Sequence, residues 1–62
     1  MTDYEITEAM LVFGGGFVEK LAMCFRAADE INQRRLKHAF PEVWKRYEDL
    51  AIARTEHARN QQ

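Results

Sequence analysis

The stretch that decides the fold is residues 10–25, MLVFGGGFVEKLAMCF, in which two apolar segments meet at three consecutive glycines. Each glycine in a helix interior costs about 1 kcal/mol relative to alanine, so three in a row predict a break or a sharp kink. The glycines lack the preceding strand and the following lysine and hydroxyl residue of a nucleotide-binding loop. Gly14, Gly15 and Gly16 therefore predict a tight turn or a close approach of two helices rather than a phosphate site.

Apolar residues at helical spacing predict one helix on each side of the glycines. Residues 3–13 suit a short helix that Thr2 or Asp3 could cap. Residues 17–28 carry the strongest helical pattern in the chain. The first helix has its predicted core face at Ile6, Ala9, Met10 and Phe13, and the second has its face at Phe17, Leu21, Cys24, Phe25 and Ala28, widened by Val18 and Ala22.

Two more helices are predicted towards the C-terminus. Asp29 is a natural N-cap for a helix over residues 30–40, and Pro41 suits the first position of the next one. Arg54 falls in the middle of the apolar face of that last helix, which predicts the end of the core. We expect one helical domain over residues 1–54 and a polar tail, residues 55–62, that is frayed or ordered by a partner. The predicted core residues of these two helices are Ile31, Leu36, Ala39, Phe40, Val43, Trp44, Tyr47, Leu50 and Ala51.

The predicted fold class is all-α, a small bundle of three to four short helices. A chain of 62 residues buries only about 60% of its unfolded surface, and domains of this size are usually supported by disulfides, metals or self-association. Cys24 is the only cysteine, so an internal disulfide is impossible and we expect a homodimer. Some apolar residues project away from the predicted core faces and form the candidate partner or dimer surface: Tyr4, Leu11, Val12, Met23 and Ile52.

The sequence carries no catalytic or metal-binding pattern. His38 and His57 lie outside metal-ligand spacing, and both project onto exposed faces. Cys24 has no basic neighbour at helical spacing to lower the pKa of its thiol, so it is interpreted as a small buried hydrophobe. Carboxylates beside basic residues on polar faces solvate helices rather than transfer protons. We expect no enzyme, no cofactor, no metal and no small-molecule substrate.

Charge and hydropathy favour a cytoplasmic protein. Nine basic residues against ten acidic ones give a net charge of −1, which argues against a strong polyanion binder. The longest apolar run, residues 9–18, falls far short of the roughly 20 residues of a membrane span. The acidic N-terminus lacks the basic flank of a secretory signal.

One basic cluster keeps a nucleic-acid interpretation open. A turn at Asp29 could set up a helix-turn-helix, although Glu30, Glu42, Glu48 and Asp49 are interspersed with the basic residues. The candidate nucleic-acid surface consists of Arg34, Arg35, Lys37, Lys45 and Arg46.

Three segments taken together are similar to a known family: Gly14-Gly-Gly-Phe-Val18, Ala28-Asp-Glu-Ile-Asn32 and Ala39-Phe-Pro-Glu-Val-Trp-Lys-Arg-Tyr47. They resemble very short, mostly uncharacterised proteins encoded by tailed phages and prophages, and the likeness runs over residues 6–50. This chain has glycine where the family's first motif has serine, and Glu30 where proline often follows the aspartate. Neither change alters the predicted caps.

The resemblance implies a phage accessory protein that acts inside an infected bacterium. The first functional hypothesis is therefore protein binding, with inhibition or modulation of a host defence or regulatory protein. The alternative is a small DNA-binding regulator that uses the surface from Arg34 to Arg46. A structural role in the virion also stays open.

Overall fold

The chain forms four α-helices in a computed structural model that describes residues 1–58 in full and residues 59 and 60 by their backbone. The helices are α1 (Asp3–Phe13), α2 (Gly16–Ala27), α3 (Glu30–Ala39) and α4 (Pro41–Asn60). No strand occurs in this described part, so the predicted all-α class is confirmed. Across residues 1–60, no helix combines the length and apolarity that a membrane crossing requires.

The helix starts follow the caps that the sequence predicts. Thr2 Oγ1 accepts a hydrogen bond from the Glu5 backbone N–H at 3.2 Å, and Glu5 Oε1 accepts one from the Thr2 backbone N–H at 3.3 Å. At α3, Asp29 Oδ1 accepts from the Asn32 backbone N–H at 2.8 Å. These bonds satisfy N–H groups that have no partner inside their own helix.

The glycine turn is confirmed, and one of its three glycines is closely packed. The Gly14 backbone N–H donates to the Met10 carbonyl oxygen at 2.9 Å. A Cβ atom at Gly14 would overlap that oxygen and the Val18 side chain, whereas Cβ atoms at Gly15 and Gly16 would meet open space. No residue in the described part has a positive φ. Gly14 is therefore required by its close contact with Met10 and Val18 and not by its backbone conformation.

The core lies between α1, α2 and α4. α1 packs against both other helices, while α3 contributes no fully buried residue. The Trp44 and Phe25 ring centroids are 4.6 Å apart, and Trp44 Nε1 donates to the Leu36 carbonyl oxygen at 3.2 Å. Trp44 therefore joins α4 to both α2 and α3. The buried apolar residues are Ile6, Ala9, Met10, Leu21, Ala22, Phe25, Trp44, Tyr47 and Ala51.

Arg26 links α2 to α1 through hydrogen bonds. Its Nε donates to the Oγ1 of the fully buried Thr7 at 2.9 Å. Its Nη2 donates to Glu8 Oε2 at 3.1 Å and to the Tyr4 carbonyl oxygen at 3.2 Å. The guanidinium also lies 4.4 Å from the centroid of the Tyr4 ring. Helical periodicity alone does not predict this link, which joins residues nineteen positions apart.

The C-terminal helix extends beyond the expected boundary. We expected the helical domain to end at Arg54, but α4 continues through residues 55–60. Thr55 Oγ1 donates to the Ala51 carbonyl oxygen at 3.1 Å, and the Arg54 guanidinium lies 5.2 Å from the centroid of the Phe13 ring. Only Gln61 and Gln62 of the expected tail lie outside the described residues.

Candidate protein-binding surface

α2 and α3 leave an open groove between them, which we call the α2–α3 groove. It has a volume of about 520 Å³. The turn at Asp29 joins the two helices at one end, and the ring centroids of Phe17 and Phe40 approach to 5.6 Å at the other. The groove is lined by Cys24, Ala27, Ala28, Asn32, Arg35, Leu36 and Ala39.

Residues that have core periodicity are exposed on α2 and α3, and Cys24 and Ala39 among them line this groove. Phe17 is 60% exposed and Ile31 is 63% exposed, and Cys24 and Ala39 are exposed as well. Their predicted burial is therefore wrong, as is that of Phe13 at the end of α1. Periodicity identifies the apolar face of a helix, but it does not say whether the chain supplies another helix to cover that face.

The apolar residues predicted to lie off the core are mostly exposed, but they are scattered. Tyr4, Val12, Met23 and Ile52 are exposed as predicted. Leu11 is half-buried and packs against the core, so it offers less surface than predicted. Tyr4 and Val12 are eight residues apart and so lie about 12 Å apart along α1. Met23 and Ile52 belong to two other helices, α2 and α4.

Most of the predicted nucleic-acid surface is occupied by ion pairs within the chain. The pairs are Arg34 with Glu30 at 2.6 Å, Lys37 with Asp3 at 2.7 Å, and Lys45 with Asp49 at 2.9 Å. The hydrogen bond from Lys45 and the charge of Asp49 raise the pKa of the Lys45 ammonium. The Arg46 guanidinium lies 5.8 Å from the centroid of the Tyr47 ring. The structure therefore does not assemble these five side chains into one free cationic face.

The described residues offer little for acid–base or metal chemistry. A depression of about 390 Å³ lies between α1 and α4, beside Glu5 and Glu8. Glu5 is already bound to Thr2, and Glu8 is bound to Arg26. Within residues 1–60, no group of three or more histidine, cysteine, aspartate or glutamate side chains could hold a metal ion. The α2–α3 groove is therefore the stronger candidate site.

Comparison of the chain with known protein families, curated proteins and solved structures gives no match. The functional interpretation therefore depends on the surfaces of the chain itself.

Proposed function

We propose that the chain acts by binding another protein through the α2–α3 groove, without catalysing a reaction. The observation that supports this proposal is the groove itself, because residues with core periodicity line a depression that the chain leaves uncovered. Exposed apolar side chains that line a groove favour an interaction site. Grooves between helices commonly receive the apolar face of a partner helix.

The resemblance to short phage proteins suggests the class of partner. We propose a host bacterial protein of the defence or regulatory machinery, whose activity is inhibited or modulated by the binding. This part of the proposal rests on that resemblance. A DNA-binding regulator has less support, because three of its five candidate cations are already paired with carboxylates.

Two neighbouring substitutions on α2 test the proposal. Cys24 lines the groove, whereas Met23 is exposed outside its lining, so both side chains can be replaced without loss of buried core. Cys24→Glu should weaken partner binding by about tenfold or more, because a carboxylate buried under the partner costs at least about 1.4 kcal/mol. Met23→Glu, the matched control, should leave that binding unchanged.

The measurement is capture by the tagged protein from bacterial host cells, with the captured protein quantified and then titrated in purified form. Circular dichroism checks that both variants fold. A partner that binds Cys24→Glu as tightly as the parent would contradict the proposal. Loss of binding with Met23→Glu alone would place the interface on the scattered apolar residues instead.

We also propose that the chain forms a homodimer through apolar residues outside the groove. Four such residues are exposed on three helices: Tyr4, Val12, Met23 and Ile52. Sedimentation at high micromolar concentration should give the mass of a dimer, and Val12→Glu should shift it towards the monomer, because a carboxylate in an apolar contact loses its hydration. A parent chain that sediments as a monomer at that concentration would refute the dimer.

A further inference from the structure

Arg35 differs from its neighbouring cations because it lines the α2–α3 groove without a carboxylate partner. Its Nη1 donates to Asn32 Oδ1 at 3.3 Å. Among the described residues, none of the ion pairs within 4.0 Å includes Arg35. The adjacent Arg34, by contrast, is paired with Glu30 at 2.6 Å. The groove therefore presents one positive charge beside an apolar floor.

The shape of the groove suits a helix. Cys24, Ala27, Ala28 and Ala39 have small side chains, which let a helical partner approach closely. The lining of α3 runs from Asn32 to Ala39, about 10 Å along its axis, or roughly two turns. An extended peptide would find no sheet edge to pair with, because the walls are helices whose backbone groups bond internally. A helical occupant needs no such pairing, because its backbone hydrogen bonds are already formed within the helix.

The charge of the groove argues against a second copy of this chain as its occupant. A two-fold interface places the same surface on both subunits. Two copies of the groove would bring two Arg35 side chains together, and the lining contains no carboxylate to neutralise them. Desolvating such a charge without a partner is costly.

We infer that the groove receives an amphipathic helix of another protein, with an acidic side chain placed against Arg35. This inference rests on the proposed function and adds the chemistry of the partner. The acidic side chain would supply the carboxylate that Arg35 lacks, and the apolar face of the helix would cover Cys24 and Leu36.

The test uses three synthetic helical peptides that share one leucine–alanine face and differ only in the flanking residues, which are glutamate, glutamine or lysine. Each is titrated into the isotopically labelled protein, and the amide resonances of Cys24, Ala27, Leu36 and Ala39 are followed by NMR. The glutamate peptide should shift these amides and bind about fivefold more tightly than the glutamine peptide, as a partly exposed ion pair allows. The lysine peptide should bind more weakly than either.

Two arginine variants assign the preference to one residue. Arg35→Gln should abolish the difference between the glutamate and glutamine peptides. Arg34→Gln, the matched control, removes a guanidinium that is already paired and should retain the difference. Preference lost equally in both variants would show only a general effect of charge and would overturn the assignment to Arg35.

The remaining outcomes separate this inference from the proposed function. Equal affinities for the three peptides would overturn the acidic partner and leave the groove as a protein-binding surface. Dodecanoate, a fatty acid, serves as a probe for a lipid occupant. Groove amides that shift with dodecanoate but not with the glutamate peptide would overturn a helical partner in favour of a lipid carboxylate. Amides unmoved by the glutamate peptide would also overturn the inference. The proposed function is tested separately, and it fails if Cys24→Glu binds the captured partner as tightly as the parent does.

Discussion

Trp44→Ala should lower the free energy of unfolding by about 3–5 kcal/mol, which is a large part of the stability of a domain this small. Trp44 is only 7% exposed, packs on Phe25 and bonds to the Leu36 carbonyl oxygen, so it joins three helices. Removing a buried aromatic side chain costs about 3–5 kcal/mol. A domain of this length is stable by about 3–9 kcal/mol in total. Urea titration followed by far-ultraviolet circular dichroism measures the loss directly.

Trp44→Phe is the matched control for that substitution. It keeps an aromatic ring near Phe25 and removes the hydrogen bond, which contributes about 1 kcal/mol. The Leu36 carbonyl oxygen still accepts from the Phe40 backbone N–H at 3.2 Å, so it is not left unsatisfied. A Trp44→Ala variant that unfolds at the same urea concentration as the parent would show that Trp44 does not belong to the core.

Alanine substitutions in the glycine turn should have unequal effects at adjacent positions. At Gly14 a Cβ atom would collide with the Met10 carbonyl oxygen and the Val18 side chain, and relieving such overlap costs about 1–3 kcal/mol. Gly15 has open space and a φ of −79°, which alanine adopts readily. Gly15→Ala should therefore change the stability by less than about 1 kcal/mol, since restriction of the unfolded chain is offset by the loss of a glycine at the N-cap of α2.

Urea denaturation of the two variants measures this difference in stability. Both carry the same chemical change at a helix cap, and only the Cβ atom at Gly14 meets other atoms. Equal destabilisation by Gly14→Ala and Gly15→Ala would contradict the close packing of Gly14 and would leave only a general need for flexibility in the turn.

Features that depend on local bonds could be predicted from the sequence. Thr2 and Asp29 cap helices because their side chains reach backbone N–H groups three residues ahead. Pro41 begins α4 as predicted because its fixed φ suits the first helical position. The link from Arg26 to Thr7 spans nineteen residues, and no local pattern predicts it.

The groove could not be predicted from periodicity, because burial depends on how helices pair. Cys24 and Phe17 fall on the apolar face of α2, but the buried residues of that helix are Leu21, Ala22 and Phe25. The composition of α3, EINQRRLKHA, does hold a signal. Only its isoleucine, leucine and alanine are apolar, which is too few to cover α2 as well as to pack on α4.

The rate at which the Cys24 thiol is alkylated tests the central claim most directly. Cys24 is the only cysteine, is exposed and lines the groove, so a small reagent such as iodoacetamide reports occupancy without a bulky label. The control chain carries Cys24→Ala together with Met23→Cys, which moves the thiol one residue out of the lining. In the purified complex with the captured partner, Cys24 should react only through the small fraction of free chain, while the control thiol should react as fast as without the partner. Alkylation of Cys24 at the same rate in the complex and in the free chain would contradict the α2–α3 groove as the binding surface.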